Sequence, residues 1–205
     1  MSHTLSYRGQ ITSPLNVSLL TSELVEIAET LGWRWEEAEG DWSTPPTAEL
    51  VHAGTQKAVV GHLGLRGVTL YPETIDGPLH FLFDSKGWLR SPHLVAKIRA
   101  GEKDAASAFV SVRVDLTTRR IYATVIHLLQ YIKVRFIPKL DVLDPTGFWE
   151  TNNDDALDLL SSDGLSPGEG EQEQSASRYE PSRFVPSELL SLVEKIIQRK
   201  MDSLN

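Results

Sequence analysis

Residues 140–177 carry ten acidic side chains and no lysine or arginine, and this break in charge most limits how much of the chain can fold. Beyond Thr151 large apolar residues become sparse, while Asp, Glu, Ser, Gly and Gln dominate through residue 182. Such a segment has too little apolar surface to offset the entropy of ordering it. The organisation that follows is a folded unit over residues 1–151, a disordered acidic linker over 152–185 and a terminal segment over 186–205. Most of the net charge of −8 belongs to the linker side of that boundary. Outside residues 140–177 the chain holds 20 basic and 18 acidic side chains, so the folded unit is near neutral and has no reason to avoid anionic partners.

Within 1–151 the pattern reads as α+β, a mixed or antiparallel sheet packed against two long helices. Val17, Leu20, Leu24, Ile27 and Leu31 recur at spacings of three and four, after a Ser13-Pro14 start and before Gly32, which predicts one amphipathic helix with Glu23, Glu26 and Glu29 facing away from its apolar stripe. Ile121, Val125, Leu128, Leu129, Ile132 and Phe136 predict the second, over 118–136, closed by Pro138. Strands are predicted over 5–11 and at 33–35, one or two over 58–70, and one over 109–116, where Val110, Val112 and Val114 alternate with polar residues. Residues 78–89 read as a hairpin around Asp84-Ser85-Lys86-Gly87, and 139–143 with 147–151 as a last small hairpin or edge strand. In the terminal segment, Ser187 caps an amphipathic helix whose stripe is Leu189, Leu190, Val193, Ile196 and Ile197.

The absence of cysteine excludes disulfides, thiol nucleophiles and thiolate zinc sites. No two of the six histidines, His3, His52, His62, His80, His93 and His127, stand three or four residues apart, so no metal site is expected. Gly61, Gly64 and Gly67 lack the spacing of a dinucleotide fingerprint, no lysine sits as in a phosphate-binding loop, and no nucleophile elbow occurs. No cofactor is expected. Residues 1–10 lack a basic start followed by an apolar run, and no window is long enough to span a bilayer, which makes the cytoplasm the expected compartment.

Four constellations remain. His62 and His80 fall in neighbouring predicted strands, with Asp84 at the turn, and would form a catalytic or ligand-binding group if those strands pair; otherwise they are ordinary hydrogen-bonded strand residues. Trp33, Trp35 and Trp42 would offer a stacking surface if exposed, or would belong to the core. Arg119, Arg120, Lys133 and Arg135, with Lys139 beyond them, make the ends of the second long helix basic, as a weak nucleic-acid contact or a solvated face would require. The apolar stripe of the terminal helix needs a cover.

Residues 126–151, running through Arg135-Phe136-Ile137-Pro138-Lys139-Leu140-Asp141-Val142 to Gly147-Phe148-Trp149-Glu150-Thr151, resemble an uncharacterised group of bacterial proteins of similar size, as do Tyr7-Arg8-Gly9 and Gly87-Trp88-Leu89. The resemblance implies a compact bacterial cytoplasmic domain, with no activity or catalytic residue attached to it. The residues themselves favour a non-enzymatic interaction module that uses its terminal helix for self-association or for binding a protein partner. The alternatives are a ligand-binding protein or hydrolase with a His/Asp/Trp-lined cleft, and a weak nucleic-acid binder. A membrane partner is not expected.

Overall fold

The structure, a computed structural model, describes residues 2–53, 56–72, 75–115 and 119–151, together with Lys195 and Arg199. The expected linker and the apolar stripe of the terminal helix lie outside the described residues.

The described chain is a mixed α+β fold. Its strands are β1 (Ser2–Arg8), β2 (Arg34–Glu39), β3 (Glu49–Ala53), β4 (Gln56–Val60), β5 (Arg66–Tyr71), β6 (Ile75–Asp76), β7 (Leu79–Phe83), β8 (Leu89–Arg90), β9 (Val110–Asp115) and β10 (Asp141–Leu143). Its helices are α1 (Val17–Leu31), entered through a tighter turn at Pro14–Asn16, α2 (Pro92–Arg99), α3 (Arg119–Arg135) and the single turn α4 (Phe148–Thr151). One sheet has the order β10-β1-β9-β6, another β2-β5-β7-β8, and β3 and β4 form a separate hairpin. Every pairing among the described strands is antiparallel.

The two larger sheets meet where β1 runs out. The Ile11 amide donates to the Gly87 carbonyl at 2.9 Å and the Leu89 amide to the Gly9 carbonyl at 3.0 Å, which stitches the continuation of β1 to the start of β8. Tyr7 of β1 stacks on Phe81 of β7 with ring centres 5.8 Å apart, and its hydroxyl donates to the His80 carbonyl at 2.9 Å. A phenol buried this completely needs such a partner. The valines of β9 face this interior, as their alternation requires. Helix α1 covers the second sheet at β2 and β5.

Helix α3 departs from the single stripe its periodicity suggests. Besides Val125, Leu128, Leu129 and Ile132, it buries Tyr122, Thr124, Ile126 and Tyr131, because the polar tips on its other sides find partners: the Tyr122 hydroxyl donates to Asp144 and the Tyr131 hydroxyl to Glu23. Glu23 is therefore not on a solvated face of α1. It is 9% exposed and accepts from Arg135 Nη2 at 3.0 Å, so a carboxylate, a guanidinium and a phenol close the seam between α1 and α3.

Three further differences have local causes. Helix α2, a stretch assigned no element from its sequence, starts at a Ser-Pro pair like the one before α1: Ser91 Oγ accepts the Leu94 amide at 3.3 Å, and Pro92 occupies the first turn. Strand β4 pairs with β3, so the glycine-punctuated run belongs to two different sheets. Residues 148–151 form a helical turn rather than a strand, because Asp144 accepts the Thr146 and Trp149 amides, both at 2.8 Å, and Thr146 Oγ1 accepts the Phe148 amide at 3.1 Å.

Candidate functional site

Two turns, each organised by an aspartate, build the most structured cleft. In the β7–β8 turn, Asp84 Oδ1 accepts the Lys86 amide at 2.9 Å and the Trp88 amide at 3.0 Å, which fixes the bend its sequence announces. In the loop after β2, Asp41 accepts the Ser43 amide and hydroxyl and the Thr44 hydroxyl at 2.7 to 2.8 Å. Those donors, the hydroxyls first, hold the Asp41 carboxyl down at about 2. The loop carries Trp42, whose indole N–H donates to the Phe83 carbonyl at 3.2 Å, with the Arg66 guanidinium 4.7 Å from its ring centre.

Trp42 and Asp84 thereby line one cleft of about 360 Å³, together with Leu63, Arg90, and Val95 and Arg99 of α2. Arg90 is its most unusual member, being 4% exposed. Its Nε donates to Asp84 Oδ2 at 3.1 Å and its Nη1 to the Leu89 carbonyl at 3.2 Å. Burial lowers the pKa of the guanidinium, against the opposing pull of Asp84; an arginine remains charged even so. Arg99 donates to the Ala48 carbonyl at 2.9 Å and stands 3.7 Å from Glu49 across an exposed pair.

Neither His62 nor His80 lines this cleft. The His62 ring lies 2.9 Å from the Asp41 carbonyl, and its amide donates to Thr47 Oγ1 at 2.9 Å, so it braces the Trp42 loop from outside. His80 Nδ1 shares a hydrogen bond of 3.1 Å with Thr69 Oγ1 on the neighbouring strand. Its pKa is pushed down to about 4, first by burial and then by the charge of His93, so its imidazole is neutral at physiological pH. Another histidine, His127, packs its ring 5.8 Å from that of Phe148.

The three indoles do not share a surface. Trp33 is 3% exposed with its Nε1 unpartnered, Trp35 is half-buried against the core, and Trp42 belongs to the cleft. Of the basic group, Arg135 is engaged by Glu23, Lys133 lies 5.2 Å from the ring centre of Trp149, and Lys139 lines a separate groove with Arg8 and Lys86. The side chains of Arg119 and Arg120, and the stripe Leu189, Leu190, Val193, Ile196 and Ile197, lie outside the described residues. Arg90, Leu63 and the α2 residues are members of the cleft that the sequence did not single out. The Ser91-Pro92 pair was the signal that a helix begins there.

Among the described residues no group of three or more His, Asp or Glu side chains is placed to hold a metal ion, and no helix is long and apolar enough to cross a membrane. Compared with protein-family models, curated proteins and solved structures, the chain matches none.

Proposed function

We propose that the chain is a non-enzymatic interaction module, a bacterial cytoplasmic one as its sequence resemblance implies, in which a folded unit of residues 1–151 is tethered by the acidic segment 152–185 to a partner-binding helix in 186–205. In this reading the antiparallel sheets pack against two long helices, and the amphipathic terminal helix makes the contact with a second copy of the chain or another protein. The observation that carries it is the spacing of Leu189, Leu190, Val193, Ile196 and Ile197, which recur at helical period in the sequence; of the described residues there, Lys195 and Arg199 are helical and exposed. An apolar stripe at that period is the pattern of a helix that docks into a groove or onto its own copy. A tether raises the local concentration of such a helix near any partner the folded unit also touches.

The ligand-binding alternative keeps one supporting observation, that Trp42 and Asp84 line a common cleft. Its hydrolase form has less support, since His62 and His80 are engaged away from that cleft. The test of the main reading replaces Leu189, Val193 and Ile196 together with Asp. The substituted chain should keep its thermal transition while losing self-association by sedimentation equilibrium, or losing captured protein partners. If association and capture both persist unchanged, the terminal helix is not the contact and the reading fails.

A further inference from the structure

We propose that the groove lined by Lys86 and Lys139 is the docking surface for an acidic segment of the same chain, residues 154–163. The proposal rests on the groove and on the break in charge along the sequence, and does not depend on the contact assigned to the terminal helix. The groove has a volume of about 540 Å³ and is lined by the continuation of β1, by the β7–β8 turn and by the connection from α3 to β10. The turn contributes Lys86, the connection contributes Pro138 and Lys139, and half-buried Trp88 adds an aromatic face.

The groove carries unspent positive charge. Arg8, Lys86 and Lys139 line it against a single carboxylate, Asp141, an excess of two. Arg8 and Asp141 satisfy each other at 2.9 Å, so the excess resides on the two lysines. Both are exposed, and neither ammonium has an ion-pair or hydrogen-bond partner among the described residues. Asp84, close to Lys86 in the turn, is committed to Arg90 and to two turn amides. The backbone beneath Lys86 is held by that turn and by Gln10, whose Nε2 donates to the Lys86 carbonyl at 2.7 Å. The other clefts differ in this respect. In the Trp42 cleft Arg90 faces Asp84 and Arg99 faces Glu49, and beside the groove between α2 and β9, which has Lys97 and Lys103, Asp104 accepts the Ser107 amide at 2.9 Å.

Charge, composition and reach select the occupant. Residues 152–173 carry seven acidic side chains and no lysine or arginine. Within them Asp154, Asp155, Asp158 and Asp163 alternate with Leu157, Leu159 and Leu160, which supplies carboxylates for the lysines and apolar groups for Trp88 and Pro138. The folded unit ends near the groove. Lys133 of α3 lies 5.2 Å from the ring centre of Trp149, two residues before Thr151, and along the helix rise the Pro138-Lys139 wall begins about 10 Å beyond Lys133. From Thr151, residues 154–163 lie within about 10 to 40 Å of extended chain. An exposed lysine–carboxylate pair is weak alone and is screened by salt. Tethering offsets that weakness, because it holds the segment at a local concentration on the order of millimolar, which a free acidic peptide would have to match.

The test uses the full chain, which has no cysteine, with a nitroxide attached through Ser162→Cys. It reads paramagnetic broadening of the Trp88 indole N–H and of the Gln10 and Lys139 amides. At about 0.01 M salt these signals should lose intensity, and at about 1 M, where the screening length falls from about 30 Å to about 3 Å, they should recover it. Lys86→Glu with Lys139→Glu, both exposed changes with little risk to the fold, should abolish the broadening, and Asp154, Asp155, Asp158 and Asp163 changed together to Asn should weaken it. Lys57→Glu, at an exposed position of β4 outside the groove, should leave it unchanged, as should Asp at Leu189, Val193 and Ile196, so this outcome is read separately from that of the terminal helix. A nitroxide chain mixed with isotope-labelled chain lacking the nitroxide should broaden nothing. Four results would each overturn the proposal: no broadening at low salt, broadening that survives the two lysine changes, equal loss with Lys57→Glu or with the helix substitutions, or broadening in the mixed sample, which would assign the groove to the segment of a second copy.

Discussion

His80 shows how one residue's surroundings set a measurable property. Its imidazole takes up a proton near pH 6.5 when the chain is unfolded and only near pH 4 in the fold, where burial and then His93 oppose the charge. Unfolding therefore binds a proton between those values, so stability is complete above about pH 6.5 and falls as pH drops toward 4, by on the order of 2 kcal/mol once its partial exposure is allowed for. Urea unfolding of His80→Asn, which keeps an acceptor for Thr69, should show a flatter pH dependence across that window. An unchanged slope would mean that other groups carry it. Glu23 is a second such residue. Its carboxylate, 11% exposed, faces Arg135 and the Tyr131 hydroxyl, so Glu23→Ala should cost about 2 kcal/mol in urea unfolding by leaving both donors short of a partner. Helical spacing placed Glu23 off the apolar stripe of α1, and correctly so. What spacing does not show is that another helix lies against that side with its own polar groups.

Gly67 belongs to the same scale. It sits inside β5 at φ +133°, and a Cβ there would stand 2.1 Å from the Phe81 carbonyl oxygen of the adjacent strand. Gly67→Ala should therefore destabilise by about 3 kcal/mol, since both the backbone conformation and the strand spacing oppose it. This strain gives a physical reason for the third member of the Gly61, Gly64, Gly67 series: close approach of strands, not of a phosphate.

At the scale of elements, legibility followed how local the determining signal was. Helix α1 announces itself through period, a Ser-Pro start and a terminal glycine at φ +69°, and the β7–β8 hairpin through turn chemistry that Asp84 then satisfies atom by atom. Strand β3 has no comparable mark, and its pairing with β4 is what makes it a strand. Helix α2 is short, and His93, Lys97 and Arg99 interrupt its apolar pattern, so only its cap was there to be read. That cap has a testable weight. Ser91→Ala removes the acceptor for the Leu94 amide and should lower stability by about 1 kcal/mol, roughly 3 °C in melting temperature for a chain of this size.

At the scale of the whole molecule, the antiparallel α+β class was readable from alternation and helical period, whereas the division into two sheets stitched at Gly9 and Gly87 was not, because those contacts join residues far apart in the chain. The candidate site was half legible. Trp42 and Asp84 stood out as types suited to a cleft, while Arg90 joined them only through the burial that tertiary structure imposes. His62 and His80 were proposed as neighbours from adjacent predicted strands, but His62 falls in the connection after β4 while His80 lies within β7, and the two rings found separate partners. The division between a folded unit and a tethered contact helix rests on charge and period along the chain. Its most direct test compares the full chain with a version ending at Thr151, by sedimentation equilibrium and by affinity capture from the native host. The account predicts that the full chain exceeds its 22.8 kDa monomer mass or retains specific protein partners, and that the shortened chain melts cooperatively while losing that behaviour. Identical mass and identical capture for the two chains would contradict it.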